Sequence, residues 1–461
     1  MTSTPADILE WAFVERSLTI PERIDLHRRC PQAFTADPER AEEVLRRWCH
    51  VLARPEGASV EDRLDEYGIR SEDLPVLVGS VSEDAASEIP IEPWMEVCAA
   101  VAAWDGPRDD AGLPAAAFLE PGDTDDDVAA GPVEPMPFQE GLVPWIVVAT
   151  ERLFERCPAA RRLLSESMLK KEQRRLLENL ATTARFVLIE ELNLRRLGMY
   201  DQNDFALGML TTNPPRTAYI ETVDWMVGDR SSEWMRRWSA IARLLGVRVE
   251  AWIRAVAEFV RRFEDDRDLV VEELLDGRDP GPLVGIRFGS GDSHNGGRSV
   301  AICRFEDGTR IVYKPRSCSV DVAFADIAAD LNGRLDPDLQ LRVPRTIDRG
   351  NWGWVEFIQA APCVDLDELR AYHRRMGVLL AVIHTLQGND FHLENVMACG
   401  AHPVPIDLET VCVPKGDFPS ADLEPDRTRE IIEHSVLRTL LLPSAMGFGG
   451  GQVRNLGAMR S

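Results

Sequence analysis

The chain has 461 residues, of which 44% are hydrophobic and 28% are charged, a composition typical of a folded globular protein rather than a disordered or fibrous one. Its 52 Lys and Arg residues and 77 Asp and Glu residues give a formal net charge of −25. Nucleic acids and anionic membranes repel such a charge, so we predict general binding to neither, while a local basic pocket for one nucleotide stays compatible with it.

The sequence also bears on membrane insertion, secretion and the redox state of the cysteines. No apolar run reaches the length of a membrane span, and residues 1–7 lack the basic and apolar segments of a secretory signal. The nine cysteines are scattered without a Cys-x-x-Cys pair, which disfavours a disulfide framework or a sequential zinc site. We therefore predict a cytoplasmic protein with reduced thiols and no membrane span.

The first 265 residues show mainly helical periodicity. Val44, Leu45 and Trp48 share one face of a helix predicted over 41–52. Further on, Ser165 is placed to cap a long helix that Gly198 would end. Between these stretches, acidic residues with Pro and Gly but without apolar periodicity predict a solvated linker or long loop. The predicted regions are a helical N-terminal region at 1–104, the linker at 105–137 and a second helical region at 138–265.

The pattern changes near residue 280. A Gly-rich stretch at 289–297 precedes two β-rich runs, 299–305 and 310–314, and the Asp307-Gly308 step between the runs is a hairpin signal. We then predict a helix over 320–335, a strand pair around 349–358, a helix over 365–386 and a final helix near 427–442. The predicted fold class is α+β. This part of the chain divides into a region at 266–360, which holds the Gly-rich stretch and the hairpin, and a region at 361–461, which follows it.

The densest motif in the chain lies between residues 388 and 409. Asp390, His392 and Asn395 form an Asp-x-His-x-x-Asn pattern after a helix, and Asp407 follows a short apolar stretch. Phosphoryl transfer from ATP needs a carboxylate at the attacking hydroxyl, an amide and a second carboxylate for Mg²⁺, and a lysine for phosphate charge. Lys314, at the end of the hairpin, fits the last role.

Each of these features has an ordinary structural explanation when it is taken alone. Lys314 could be a surface lysine, the Gly-rich stretch a common turn, and the segment from Asp390 to Asp407 a loop with a satisfied carboxylate. Their order along the chain is what favours chemistry, because it is the order of a lipid-kinase-like two-lobed core. The sequence therefore predicts such a core after the helical region.

Longer strings around these residues resemble the dehydratase domain of class II (LanM-type) lanthipeptide synthetases. They are residues 291–302 and 312–317, with 389–398 and 405–410, and the likeness extends from near residue 1 to the end. The resemblance implies ATP- and Mg²⁺-dependent phosphorylation of Ser and Thr in a leader-bearing precursor peptide. Elimination of the phosphate then leaves dehydroalanine or dehydrobutyrine.

The resemblance also assigns roles to residues. Asp390 would orient the substrate hydroxyl with help from His392, and Lys314 would contact the phosphates. Asn395 and Asp407 would hold Mg²⁺. Two further residues, Asp292 and His294, match positions that serve elimination. Such a step needs a base for the α-proton and an acid or cation for the leaving phosphate. Asp292 capping a Gly-rich turn beside an exposed His294 is the structural alternative.

The chain departs from the family pattern at its C-terminal end. The downstream Arg and Thr used for elimination, and the cyclase domain with its Cys/Cys-His zinc site, have no counterparts up to Ser461. We therefore expect an incomplete C-lobe, exposed apolar surface around 436–442 and, if the chain folds, a reaction that stops at phosphopeptide. Two alternatives to the dehydratase remain: a kinase without elimination, and a non-catalytic peptide-binding remnant. The precursor peptide and the oligomeric state are not specified by the sequence.

Overall fold

The computed structural model describes residues 4–52, 64, 68–110, 112–119, 136–199, 216–289, 295–412, 431–432, 434–443, 445–448, 452–455 and 457–458. The chain divides into two compact units, residues 1–261 and 262–461. Within the described residues the first unit is mainly helical, and the second combines helices with antiparallel sheets. The predicted α+β class is confirmed.

The first unit consists of α-helices joined by turns and short 3-10 segments. Its two short strands, β1 (Phe34–Thr35) and β2 (Ser80–Val81), pair antiparallel. The α-helices are Trp11–Ser17, Ile20–Arg29, Pro38–Leu52, Leu74–Leu77, Pro93–Ala102, Gln139–Arg156, Pro158–Leu163, Glu166–Met199, Thr217–Met226, Ser231–Arg237 and the part of Ser239–Glu273 that precedes Arg262.

The long helix Glu166–Met199 begins where the sequence predicts. The Ser165 hydroxyl accepts a hydrogen bond from the Met168 amide at 3.3 Å, which satisfies one of the unpaired donors at the helix start. The basic residues in its first turns pair along the same helix, for example Lys170 with Glu166 at 3.0 Å.

The predicted linker at 105–137 is described only in part. An isolated antiparallel bridge joins Arg108 to Pro114, and a 3-10 turn covers Ala117–Leu119. Residues 111 and 120–135 lie outside the described residues. The described part has little regular structure, as a segment rich in Pro, Gly and acidic residues should.

A five-stranded antiparallel sheet forms the first half of the second unit. Its strands are β3 (Leu283–Phe288), β4 (Ala301–Phe305), β5 (Arg310–Lys314), β6 (Thr346–Asp348) and β7 (Gly353–Glu356). The strand order is β3-β4-β5-β7-β6. The predicted β4–β5 hairpin is confirmed, and Gly308 in its turn has a φ of 87°, which a glycine adopts without strain. The predicted strand pair is β6 with β7.

One face of this sheet packs on the end of the helix Ser239–Glu273. Phe263 lies 6.1 Å from the ring of Phe305 and 6.0 Å from that of Trp354. Asp266, only 1% exposed, accepts hydrogen bonds from the indole nitrogens of Trp352 at 2.7 Å and Trp354 at 2.9 Å. A buried carboxylate is tolerated when its acceptors are used in this way.

A second core lies around the helix Leu366–Thr385, which follows the helix Ser319–Asn332 in the chain. The Asp365 carboxylate caps its first turn by accepting from the amides of Asp367 and Glu368. The hairpin β8 (Val396–Cys399) and β9 (His402–Pro405) follows the helix. The buried residues of this core are Phe324, Leu341, Met376, Leu379, Ile383, Phe391, Val396, Leu408, Val411 and Leu441.

The helix predicted near 427–442 is confirmed at residues 431–432, and the prediction is wrong for residues 434–442. Within residues 434–442 the helical structure is limited to a 3-10 turn, Val436–Thr439, and Leu440 has a left-handed φ of 56°. The Thr439 carbonyl accepts from the Phe391 amide at 2.9 Å, so a tertiary bond takes the place of a helical one. The expectation of exposed apolar surface around 436–442 is confirmed at Leu437, which is 49% exposed, and is wrong at Leu441, which is fully buried. A further hairpin joins Ala445–Phe448 to Gln452–Asn455.

A membrane-spanning element would need about 20 predominantly apolar residues in one helix. None of the helices in the described ranges meets that requirement.

Candidate active site

Lys314 lies at the end of β5 and is almost completely buried. Its ammonium group donates to Asp321 Oδ1 at 2.8 Å and to the Ile406 carbonyl at 2.9 Å. Only 6% of the Lys314 side chain and 5% of the Asp321 side chain are exposed. A buried ammonium needs such a counter-charge, and the pair holds the amine beside the residue that precedes Asp407.

Arg316 extends this pair into a network of three carboxylates. Its Nη1 lies 3.2 Å from Asp321 Oδ2, its Nη2 lies 2.8 Å from Asp407 Oδ1, and its Nε lies 3.1 Å from Glu409 Oε2. The side chain is 18% exposed. All three guanidinium nitrogens are therefore engaged by carboxylates, which connects the end of the sheet with the segment after β9.

The electrostatics of the network favour a charged guanidinium. Burial acts to lower the pKa of Arg316, but the neighbouring carboxylates, Asp321 and Asp407 first, outweigh it and raise the pKa above its usual value. Three carboxylates thus surround two cations, Lys314 and Arg316. The cluster carries one excess negative charge and is suited to a further cation.

Asp390 stands in a strained loop after the helix Leu366–Thr385. Its φ of 62° lies in the left-handed region, which aspartate tolerates better than most residues. The loop is anchored by Phe391, which is fully buried, and by a bond from Asn395 Nδ2 to the Asp390 carbonyl at 2.8 Å. The Thr410 hydroxyl also donates to the Asn389 carbonyl. These anchors leave the Asp390 side chain 52% exposed, where a substrate has access to it.

His392 lies beside Asp390 with a defined ring orientation. The backbone amide of Glu394 donates to His392 Nδ1 at 3.2 Å, so a neutral ring carries its proton on Nε2. That Nε2 atom is 3.6 Å from Asp390 Oδ1, longer than a hydrogen bond. The ring therefore presents an N–H toward the carboxylate that the sequence singles out.

The β8–β9 hairpin brings Asn395 and Asp407 to its open end. Val396 pairs with Pro405, and the Ile406 amide donates to the Asn395 carbonyl at 3.0 Å. Asn395 and Asp407 consequently flank one pair of strands although twelve residues of sequence separate them. Asp407 is fixed further because its Oδ1 accepts from Arg316 and, at 3.3 Å, from the Glu409 amide.

The donor chemistry at this hairpin fits Mg²⁺. Magnesium prefers oxygen ligands and usually takes only one or two from the protein, with phosphates and waters completing its shell. The Asn395 amide nitrogen is already used, so the residue would offer Oδ1, and Asp407 would offer its carboxylate. In the described part of the chain, no three His, Cys, Asp or Glu side chains form a ready-made metal site.

Five of the seven residues predicted from sequence lie in one region of the second unit. Backbone and side-chain bonds link Lys314 to Ile406, Arg316 to Asp407, and Asn395 to both Asp390 and Ile406. The other two, Asp292 and His294, lie outside the described residues, and their roles stay predictions.

Three residues of the network were missed by sequence reasoning: Arg316, Asp321 and Glu409. A buried site lysine requires a carboxylate partner, and in protein kinases that partner is on a helix after the lysine strand. Asp321, in the first turn of the helix Ser319–Asn332, could have been found by that requirement. Nothing in the spacing of Arg316 or Glu409 distinguishes them from surface charges.

An open cavity of about 480 Å³ lies on the first unit. It is lined by Arg175, Glu178, Asn179, Thr182, Thr183 and Arg248. None of the residues predicted for catalysis or cofactor binding contributes to it.

Comparison with known proteins gives one family match and one similar curated protein. Residues 238–460 match the family described as a domain of unknown function, DUF4135. The lacticin 481/lactococcin biosynthesis protein LcnDR2 of Lactococcus lactis subsp. lactis is 28% identical over 219 residues, 46% of this chain and 23% of the relative. The chain thus matches less than a quarter of that relative's length. Together the two matches confirm the resemblance to class II lanthipeptide synthetases.

Proposed function

We propose that the chain acts in lanthipeptide biosynthesis as a dehydratase that phosphorylates Ser and Thr of a precursor peptide with ATP and Mg²⁺ and then eliminates phosphate. The buried Lys314–Asp321 pair beside Asp407 is the observation that carries the proposal. It corresponds to the lysine–carboxylate pair that must be in place in protein kinases. The described part of the second unit is compatible with a lipid-kinase-like arrangement, with the five-stranded sheet as one lobe and the helix Leu366–Thr385 in the other.

The nucleotide would be held between these elements. Lys314 supplies a fixed positive charge for phosphate oxygens, while Asn395 and Asp407 would hold Mg²⁺. Bound Mg²⁺ neutralises charge on the phosphates during transfer. Because Lys314 is fixed by two bonds before any ligand arrives, its charge needs little reorganisation when the phosphates bind.

Asp390 would act on the attacking hydroxyl of the peptide. Its exposed carboxylate accepts a hydrogen bond from the Ser or Thr hydroxyl, orients it toward the γ-phosphorus and takes its proton as the new O–P bond forms. ADP leaves with the electrons of the broken bond. His392, with its proton on Nε2, positions Asp390 and stabilises its negative charge.

Elimination is assigned to Asp292 and His294 through the resemblance alone. A base removes the α-proton of the phosphorylated residue, the electron pair forms the α,β double bond, and phosphate leaves from the β-carbon. His294 as base, with Asp292 orienting it, is one allocation of these roles. Phosphorylation without elimination is the alternative, and it requires only the five residues in the described region.

A peptide assay with two variants tests the proposal. The chain is incubated with a lanthipeptide-type precursor, ATP and Mg²⁺, and the products are read by mass spectrometry. We expect ATP-dependent phosphate addition or loss of water with the unaltered chain, and neither with Asp390→Asn. With His294→Gln, we expect phosphopeptide to accumulate. A precursor that stays unmodified with the unaltered chain contradicts the proposal.

A further inference from the structure

The Arg316 guanidinium bonds to carboxylates from two separate parts of the second unit. Asp321 belongs to the helix Ser319–Asn332, which follows β5, whereas Asp407 and Glu409 follow β9. The arginine side chain is 18% exposed, so its ion pairs are shielded from water more than surface pairs are. A contact of this kind fixes the geometry of the residues that it joins.

The hydrogen bonds to Asp407 determine the orientation of its carboxylate. Arg316 Nη2 and the Glu409 amide both donate to Oδ1, at 2.8 Å and 3.3 Å. Two donors on one oxygen set the rotation of the carboxylate, and Oδ2 is then the oxygen that would face a cation. Groups that orient a metal ligand in this way commonly change metal affinity about 10- to 100-fold when they are removed.

The network also couples the lysine to the metal ligand. Lys314 and Arg316 share the Asp321 carboxylate, one on each oxygen. Arg316 in turn pairs with both Asp321 and Asp407 and so joins the two carboxylates. Lysine at position 316 could not reproduce this, because an ammonium is a point charge whereas the guanidinium fork reaches several acceptors in fixed directions.

We propose that Arg316 is a positioning residue of the nucleotide site, which orients Asp407 for Mg²⁺ and couples it to the Lys314–Asp321 pair. This inference rests on the proposed function, since it assumes that Asp407 receives Mg²⁺ with a nucleotide. It adds a residue that acts through its carboxylate partners, Asp321, Asp407 and Glu409.

The test measures Mg²⁺ dependence of nucleotide binding rather than activity. Binding of a fluorescent ADP analogue to the full chain is titrated with Mg²⁺, and the half-saturating Mg²⁺ concentration is compared among variants. We expect Arg316→Gln to raise that concentration about tenfold or more. The concentration for Arg316→Lys should lie between those of the unaltered chain and Arg316→Gln. Arg334→Gln is the matched control, because Arg334 forms an exposed pair with Asp330 on the helix Ser319–Asn332 and should leave the value unchanged.

The outcomes separate the inference from the function on which it rests. An unchanged half-saturating Mg²⁺ concentration in Arg316→Gln would show that the arginine forms a structural ion pair only. A lowered concentration would show that the arginine competes with Mg²⁺. Either result overturns the inference, whereas nucleotide binding by the unaltered chain upholds the site. Failure of the unaltered chain to bind the analogue at any Mg²⁺ concentration overturns both. If Arg316→Gln does not fold, Glu409→Gln is measured in its place, because this variant removes one carboxylate partner of Arg316. A rise of about threefold is then expected, and no rise contradicts the inference.

Discussion

Lys314 and Asp321 are only seven residues apart, yet their 2.8 Å ion pair, in which both side chains are almost completely buried, joins the end of a strand to the first turn of a helix. A lysine with that environment has lost its hydration and depends on its partner. The same ammonium reaches the carbonyl that precedes Asp407. The two contacts are the basis of the predictions for the proposed nucleotide site.

Replacing Lys314 by Met removes the charge while keeping most of the length of the side chain. We expect phosphoryl transfer to fall tenfold or more, about 1.4 kcal/mol of barrier or above. The unfolding free energy should also fall by about 3 kcal/mol, because Asp321 keeps a buried charge with one cation fewer. Denaturant unfolding and a peptide phosphorylation assay measure the two effects. Lys170→Met, at a partly exposed lysine of the helix Glu166–Met199, is the control, and turnover equal to that of the control would remove Lys314 from the site.

Asp407→Asn should separate chemistry from stability. The amide keeps the size of the carboxylate and still accepts a bond from Arg316, so we expect a small change in thermal unfolding. Phosphorylation should be abolished because the anionic Mg²⁺ ligand is lost. The exposed Asp330→Asn serves as the matched control. Phosphorylation at the unaltered rate in Asp407→Asn would contradict the metal assignment.

Asp390→Asn tests the role of the strained loop. Asparagine tolerates the left-handed backbone as aspartate does, so the loop should keep its conformation. We expect peptide phosphorylation to drop about 100-fold or more, with nucleotide affinity unchanged, because a general base contributes only to the transfer step. A variant that loses nucleotide binding instead would show that Asp390 contributes to the nucleotide site and not to the hydroxyl.

His402, at the start of β9, predicts a pH dependence of stability. Burial first, and then the nearby Arg375 and Arg342, hold the pKa of His402 below its usual 6.5. Below pH 6.5 the unfolded chain therefore binds more protons at this residue than the folded chain does. Its contribution to stability is complete above pH 6.5 and is lost as the pH falls toward the folded pKa.

The measurement is denaturant unfolding of the unaltered chain and His402→Gln at about pH 7.5 and about pH 5.5. We expect the loss of stability on acidification to be smaller in the variant. His373→Gln, at an exposed position of the helix Leu366–Thr385, should behave like the unaltered chain. An equal acid-induced loss in His402→Gln and the unaltered chain would exclude His402 as a contributor.

Asp266→Ala should be among the most destabilising substitutions in the second unit. The carboxylate accepts from Trp352 and Trp354 and lies 3.0 Å from Arg349 Nε, so alanine would leave buried donors unpaired. We expect a loss of about 3 kcal/mol or more in unfolding free energy, measured with denaturant. Asp268→Ala, two residues along the same helix, is the comparison. Equal stability of the two variants would show that the indole bonds do not matter.

Local sequence signals predicted the β4–β5 hairpin and the loop after the helix Leu366–Thr385. The Asp307-Gly308 step and the cap at Ser165 depend on backbone geometry that a few residues determine. The order of Lys314, Asp390 and Asp407 along the chain predicted one site, and bonds through Ile406 and Asn395 link these positions. These inferences needed no knowledge of distant contacts.

Long-range contacts account for what the sequence could not predict. The residues at 436–442 have a helical pattern, but the bond from the Phe391 amide to the Thr439 carbonyl and the burial of Leu441 determine their conformation. Arg316 is one arginine among many until folding brings it to Asp407, 91 residues away along the chain. Tertiary contacts override local propensity at both places.

The most direct measurement of the central claim is the mass of a precursor peptide after incubation with the full chain, ATP and Mg²⁺, beside Asp407→Asn under the same conditions. We predict that the peptide gains phosphate or loses water with the unaltered chain and remains unmodified with the variant. An unmodified peptide with the unaltered chain, or equal modification by both proteins, would contradict the account.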